Sequence, residues 1–154
     1  MKVIIPGSYD PITLGHVDII RRAAEIYGEV YVVAFINPEK NYRFTPSERL
    51  AMLSLATEDI KGVTVDYFEG RVVDYMREHG IEKIVKGYRN DKDIEYEKLQ
   101  ADYNRIHGGY ETELIRSEEA FKDISSTLAR ERISQGASLS GILPEKVISF
   151  INKH

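Results

Sequence analysis

The chain has 154 residues, no cysteine and a formal net charge of -4. This length suits one ordinary domain, spanning residues 1–154, and the lack of Cys excludes redox sites, thiolate nucleophiles and Cys-based metal cages. The acidic balance argues against a general nucleic-acid surface, which would need an excess of Lys and Arg. The histidines lie too far apart for HExxH-type spacing, so we expect no metal ligand from the protein.

The start of the chain and its hydropathy pattern predict a cytoplasmic protein. Met1 leads directly into Lys2 and the short apolar run 3–5, without the longer apolar core of a secretory leader. No apolar run reaches the roughly 18 residues expected of a membrane span. We therefore expect neither membranes nor nucleic acid among the partners.

Short β-branched runs alternate with amphipathic stretches, as in βαβ units that build a parallel sheet. The pattern predicts five strands and six helices. The strands are residues 3–6, 30–36, 63–68, 83–86 and 113–115, and the helices are residues 13–27, 46–57, 71–79, 94–104, 126–135 and 144–152. Together they predict a single Rossmann-like, doubly wound α/β domain with a five-stranded parallel sheet in the order 3-2-1-4-5.

The second helix carries the clearest local start signal. Thr45 is a typical N-cap, Pro46 suits the first helical position, and Glu48 completes a capping box. Helical spacing then predicts that the core-facing side chains are Leu50, Leu53 and Ala56.

The segment 6–16, here called the first motif, leaves a predicted strand, turns tightly and opens a helix, which is where phosphate sites are built. Gly7 lets a ligand approach the backbone, and Ser8 offers a hydroxyl and an amide. His16 lies on the first helical turn and points back toward the end of the strand. The plainer alternative is a simple turn and a helix cap at Thr13, with His16 solvated.

The segment 124–130, here called the second motif, combines consecutive hydroxyls with a cation at a predicted helix start. Ser125, Ser126 and Thr127 precede Arg130 by less than two turns. This pattern suits the terminal phosphates of a triphosphate. Helix capping is the plainer alternative, and both roles are compatible.

The segment 86–89, here called the cationic segment, places Lys86 and Arg89 on either side of Gly87, directly after the fourth predicted strand. Exposed cations are usually only solvated. However, ligands of open parallel sheets bind in the crevice outside the carboxyl ends of the strands. We therefore expect the three segments to converge there.

Neither a GxxxxGK[ST] loop nor a GxGxxG fingerprint occurs. Instead, Thr13-Leu14-Gly15-His16 resembles the (H/T)xGH signature of nucleotidyltransferases, and the second motif resembles the ISSTxxR signature of the same superfamily. The stretch from Lys86 to Glu97 resembles the RGLRxxxDxEYE stretch of the bacterial phosphopantetheine adenylyltransferase family, which serves coenzyme A synthesis. Asn37-Pro38-Glu39-Lys40 and Phe44-Thr45-Pro46-Ser47-Glu48-Arg49 fall in register with that family.

The resemblance implies transfer of AMP from ATP to 4′-phosphopantetheine, which gives dephospho-coenzyme A and pyrophosphate. It also implies Mg²⁺ accompanying ATP and a homohexameric assembly. The implied site comprises catalytic His16, Lys40, Lys86 and Arg89; nucleotide-binding Gly7, Ser8, Tyr9, His16, Gly87, Arg89, Glu97, Ile124, Ser125, Ser126, Thr127 and Arg130; and acceptor-binding Ser8, Lys40, Val72 and Lys86. We expect direct in-line attack on the α-phosphorus, because the chain offers no obvious pair of nucleophile and base for a covalent route.

Two alternatives remain at this stage. One is another transferase of the superfamily, acting on nicotinate or nicotinamide mononucleotide or using CTP. The sequence departs from the pantetheine family at Lys86, where Arg is usual, and Ser-Ser-Thr at 125–127 followed by Arg130 leans toward the nicotinamide-nucleotide branch, whereas Thr13 favours the pantetheine branch. The other is a non-catalytic nucleotide-binding module of the same fold, against which the complete set of reaction-centre groups around His16 argues.

Overall fold

A computed structural model describes residues 1–154 and contains one five-stranded parallel sheet. Its order is β3-β2-β1-β4-β5, so β1 lies in the middle and pairs with β2 and β4. The strands are β1 Lys2–Gly7, β2 Glu29–Ile36, β3 Val63–Glu69, β4 Lys83–Tyr88 and β5 Glu111–Arg116. The predicted fold class and strand order are confirmed, and β5 is longer at both ends than predicted.

Six helices connect or follow the strands. They are α1 Leu14–Tyr27, α2 Pro46–Thr57, α3 Val72–His79, α4 Asp91–Gly108, α5 Ser126–Gln135 and α6 Glu145–Lys153, with a 3-10 turn at Glu119–Phe121. The predicted capping box of α2 is present, since Thr45 and Glu48 exchange side-chain and backbone hydrogen bonds. Helix α4 begins and ends outside its predicted range because Asn90 caps its start and left-handed Gly109 ends it.

The sheet buries a different apolar cluster on each face. Val3 and Ile5 of β1 belong to the larger cluster, while Ile4 between them belongs to the smaller one. This alternation is the ordinary side-chain period of a strand, and helices cover both faces of the central strands. None of the helices combines the length and apolarity needed to traverse a lipid bilayer.

Helix α2 buries an arginine that the helical spacing did not place in the core. Leu53 and Ala56 are buried as expected, but Leu50 is only partly buried. Arg49 instead lies inside, with 1% of its surface exposed. An arginine in the core is unusual, because charged side chains are rarely buried without a partner.

Candidate active site

The first motif, the cationic segment and the second motif meet around one cavity of about 330 Å³. The cavity lies at the carboxyl ends of β1 and β4, where the strand order reverses. This switch point is the usual ligand crevice of an open parallel sheet. The predicted site residues that line it are Gly7, Ser8, Tyr9, His16, Lys86, Gly87, Arg89, Glu97, Ile124, Ser125, Ser126 and Thr127.

His16 is held by the cap of α1. The backbone N–H of Thr13 donates to Nδ1 of His16 at 3.0 Å, and the Thr13 hydroxyl accepts from the backbone N–H of His16 at 3.3 Å. Because Nδ1 accepts a hydrogen bond, the hydrogen of the neutral imidazole lies on Nε2. The predicted helix cap is therefore present, and it also selects the tautomer of the histidine.

The surroundings of His16 keep its ring uncharged. Burial, followed by the positive charges of Lys86 and Arg89, lowers the pKa of His16 to about 4. Both effects disfavour the imidazolium form. Near neutral pH the side chain is thus a hydrogen-bond donor through Nε2–H, and neither a cation nor a base with a free Nδ1.

Tyr9 packs against the histidine from the turn of the first motif. It has a left-handed backbone with φ of 48°, and its buried ring meets the His16 ring edge to face, with 5.0 Å between the ring centroids. Its hydroxyl donates to the carbonyl of Ile5 at 2.8 Å. A Cβ on Gly7 would lie 3.1 Å from the Tyr9 ring, so the glycine makes room for this side chain. A strained residue held by its surroundings is typical of functional sites.

Lys86 crosses from β4 toward β1 and α4. Its Nζ donates to the carbonyl of Pro6 at 3.1 Å and lies 3.5 Å from Oε1 of Glu97. Burial raises the pKa of Glu97, and the Lys86 charge opposes that shift. The other carboxylate oxygen, Oε2, is buried without a hydrogen-bond partner. The pair thus places a cation and an incompletely satisfied carboxylate at the cavity wall.

Arg89 links the cationic segment to α4 and to the second motif. Its guanidinium Nε donates to Oδ2 of Asp93 at 2.9 Å, and Nη1 donates to the carbonyl of Ile124 at 3.4 Å. Gly87, between Lys86 and Arg89, lies against α1, since a Cβ there would be 2.8 Å from Cγ1 of Ile19. The glycine is therefore required for helix packing, a reason that the sequence pattern did not reveal.

The hydroxyls of the second motif already have partners. Ser125 caps α5 by accepting from the N–H of Leu128 at 3.0 Å, and Ser126 donates to the carbonyl of Pro11 at 2.8 Å. Thr127 accepts from Nη2 of Arg130 at 3.1 Å. The predicted capping role is present, and the same residues line the cavity at the N-terminus of a helix, where backbone N–H groups favour anions.

Three predicted site residues lie outside the lining of the main cavity. Arg130 donates from Nη1 to the carbonyl of Asp10 at 2.8 Å and from Nη2 to the hydroxyl of Thr127, so it joins the first and second motifs beside the cavity. Lys40 is exposed on the loop after β2, and its Nζ lies 3.5 Å from Oγ of Ser8. Val72 begins α3 and packs against the smaller apolar cluster. The structure therefore brings Lys40 close to the site through Ser8 but does not bring Val72 to it.

The sequence assigned no site role to several other lining residues, among them Asp93, Tyr96 and Phe121. Asp93 and Tyr96 belong to the stretch that carries the family resemblance, and Asp93 precedes Tyr96 and Glu97 by three and four residues, a helical spacing that was a usable signal. Phe121 is one apolar residue within a charged segment, and neither periodicity nor a motif marked it.

The fold and the site together are those of a class of nucleotide-transferring proteins: the family model described as cytidylyltransferase-like matches residues 4–132. Curated relatives refine this assignment. Phosphopantetheine adenylyltransferase of Corynebacterium efficiens is 42% identical over 154 residues, covering 99% of this chain and 97% of its own. The protein of the same name from Clostridium novyi is 39% identical over 156 residues, with the same coverage. The chain belongs to the phosphopantetheine adenylyltransferase family.

Proposed function

We propose that this chain transfers AMP from ATP to the phosphate of 4′-phosphopantetheine, which gives dephospho-coenzyme A and pyrophosphate. The observation that carries the proposal is the convergence of His16, Lys86, Arg89 and the start of α5 on one cavity at the switch point of the sheet. Relatives named phosphopantetheine adenylyltransferase in two genera support the choice of nucleotide and acceptor over the nicotinamide and cytidylyl alternatives.

The reaction is a direct displacement. An oxygen of the acceptor phosphate attacks the α-phosphorus of ATP, and the bond from that phosphorus to the oxygen bridging the β-phosphate breaks. The electron pair leaves with pyrophosphate. No base is needed, because a phosphomonoester is already mostly dianionic near neutral pH. This agrees with a His16 whose Nδ1 is engaged and whose pKa is low.

The protein then contributes position and charge. Lys86, Arg89 and the backbone N–H groups of α5 provide positive potential for two polyanions, and Nε2–H of His16 is a neutral donor for the α-phosphate. Such preorganised donors stabilise charge as it develops without first having to reorient. The Glu97 carboxylate, paired with Lys86, can accept hydrogen bonds from the nucleotide.

For Mg²⁺ we propose entry together with ATP, bound by phosphate oxygens and water. No three His, Asp or Glu side chains lie close enough together to hold a metal ion by themselves. Mg²⁺ usually keeps several waters in such sites and relieves the repulsion between phosphates. The cytoplasmic location stays a prediction from the sequence.

The function is tested by pyrophosphate release from ATP in the presence of a panel of phosphorylated acceptors. We expect 4′-phosphopantetheine to support release at a kcat/KM at least about a hundredfold above nicotinamide mononucleotide, because each unmatched polar contact costs about tenfold or more. CTP in place of ATP is the matched nucleotide control. Equal or better use of nicotinamide mononucleotide would contradict the proposed acceptor.

We further propose that the chain is a homo-oligomer, with the hexamer as its expected form. Helix α4 is 18 residues long and buries none of its side chains completely. Tyr96, Leu99 and Ile106 are 60%, 68% and 72% exposed along this helix. An apolar stripe of this kind commonly marks a protein interface. Because Tyr96 also lines the cavity, a neighbouring subunit on α4 would adjoin the nucleotide site.

A charge on this stripe should break the assembly. Leu99→Asp is expected to lower the mass measured by light scattering during size-exclusion chromatography, because a carboxylate cannot be buried there without a partner. Ile26→Asp is the matched control, since Ile26 is 62% exposed on α1. An unchanged mass for Leu99→Asp, or an equal loss for both variants, would show that α4 is not the interface.

A further inference from the structure

Arg49 of α2 is a fully buried cation without a counter-ion. Its residue surface is 1% exposed, and it takes part in none of the salt bridges of the chain. The guanidinium is always protonated, yet its Nε and Nη2 are buried without hydrogen-bond partners. A buried, unpaired charge is costly, so this arrangement weakens the fold rather than stabilising it.

The contacts that Arg49 does make lead to the reaction centre. Its Nη1 donates to the carbonyl of Ser8 at 3.0 Å, and its guanidinium carbon lies 4.0 Å from the ring centroid of Tyr42. Ser8 lines the main cavity. The Arg49 side chain therefore reaches from the core to the turn of the first motif and to the loop after β2.

The same loop carries Lys40. The Tyr42 hydroxyl accepts from the N–H of Asn37 at 2.8 Å, which closes the loop on itself, and Nζ of Lys40 lies 5.7 Å from the Tyr42 ring centroid. Lys40 also lies 3.5 Å from Oγ of Ser8. Arg49 thus contacts both Ser8, whose hydroxyl lies near Lys40, and the ring of Tyr42, above which the Lys40 ammonium group lies.

We propose that Arg49 is a positioning residue for the acceptor-phosphate side of the site: it fixes Ser8 through its carbonyl, and Lys40 through the ring of Tyr42. The inference rests on the proposed function, because it assumes that Ser8 and Lys40 face the acceptor phosphate. Arg49 does not line the main cavity but borders a smaller one beside it, together with Lys40 and Tyr42, and its proposed effect on the site passes through Ser8 and Tyr42. The cost of its unpaired charge is explained if the contact serves the site rather than the fold.

Arg49→Met tests this role. Methionine keeps most of the length of the aliphatic part of the side chain but removes the charge and the N–H donors of the guanidinium. We expect a melting temperature equal to or above that of the wild type, since an unpaired buried charge is replaced by an apolar group. We expect the KM for 4′-phosphopantetheine to rise at least about tenfold, with a calorimetric Kd for ATP changed less than about threefold. Arg49→Lys keeps the charge but not the planar fork, so it should recover only part of the loss.

Two further variants sharpen the test. Tyr42→Leu removes the stacked ring, and its effect combined with Arg49→Met should be less than the product of the single effects, because both act on one unit. Arg43→Met is the matched control, since Arg43 is an exposed cation of the same loop whose backbone N–H, and not its side chain, contacts Asp10. We expect it to change the acceptor KM by less than about threefold.

A purely structural role predicts the opposite pattern for Arg49→Met. The melting temperature would fall, and ATP binding and acceptor KM would worsen together. That result would overturn the inference while leaving the proposed function intact. So would an acceptor KM that is unchanged in Arg49→Met, provided that the wild type is active with 4′-phosphopantetheine. A wild type that releases no pyrophosphate with 4′-phosphopantetheine would overturn both.

Discussion

Replacement of His16 by alanine is expected to lower kcat about 10²- to 10³-fold while leaving the affinity for ATP nearly unchanged. Loss of one preorganised donor to a developing charge typically has an effect of this size. The imidazole is well prepared for this role, because the Thr13 N–H fixes its tautomer and Tyr9 packs against its ring. An interaction that strengthens only in the transition state lowers kcat rather than ground-state binding.

Steady-state pyrophosphate release and calorimetric ATP binding on the same variant measure both quantities. Circular dichroism controls for the fold, since the ring of His16 also contributes to the cap of α1. His16→Gln is a useful second variant, because an amide N–H can replace the neutral donor in part. A wild-type kcat in His16→Ala would remove this residue from the mechanism and favour the non-catalytic alternative.

The pH dependence separates a neutral donor from a cation. The pKa of His16 is lowered to about 4 by burial and by its cationic neighbours, so kcat should show no histidine titration near pH 6.5. The stability of the fold should decrease in that range instead. Below about pH 6.5 the unfolded chain binds a proton at this histidine that the native chain does not bind, so a fall in pH favours unfolding. As the pH falls from 6.5 to 4, the free energy of unfolding of the wild type should therefore decrease by at most about 3 kcal/mol more than that of His16→Ala.

The sequence predicted the fold well because its signals are local. Alternating β-branched runs and amphipathic stretches located every strand and helix, and the motif after the first strand placed that strand in the centre of the sheet. The boundaries of α4 were less accurate. Its start depends on the side chain of Asn90, and its apolar residues face outward, so hydrophobic periodicity gave little information there.

The site was predictable only where a motif marked it. Residues of the three segments converge as expected, but Arg130 lies beside the cavity, bound to Asp10 and Thr127, and Val72 packs against the smaller apolar cluster on the other face of the sheet. These directions depend on tertiary packing and not on position in the sequence. Arg49 shows the same limit, because nothing in its helical spacing distinguishes a buried arginine from a solvated one. The catalytic and binding roles of the individual residues stay predictions.

Replacement of Lys86 by alanine is expected to lower kcat/KM for 4′-phosphopantetheine about ten- to a hundredfold while changing ATP binding much less. The size follows from loss of one charged hydrogen bond to the acceptor phosphate, which contributes roughly 1.5 to 3 kcal/mol. Lys86→Arg should retain much of the activity, because it keeps the charge within reach. Kinetics with each substrate varied in turn, together with calorimetric ATP binding, measure the split.

The Lys86 variant has a second consequence that a control must separate from the first. Removal of the ammonium group leaves Glu97 without its cation, although one of its oxygens is already buried and unpartnered. If the loss of acceptor use in Lys86→Ala arises from the unpaired Glu97 carboxylate, then the double variant with Glu97→Gln should recover acceptor use, because the amide carries no charge. If Lys86 binds the acceptor phosphate, then the double variant stays impaired toward the acceptor. Recovery of acceptor use in the double variant would contradict the proposed contact between Lys86 and the acceptor phosphate. An equal loss of ATP and acceptor binding in Lys86→Ala would contradict it as well.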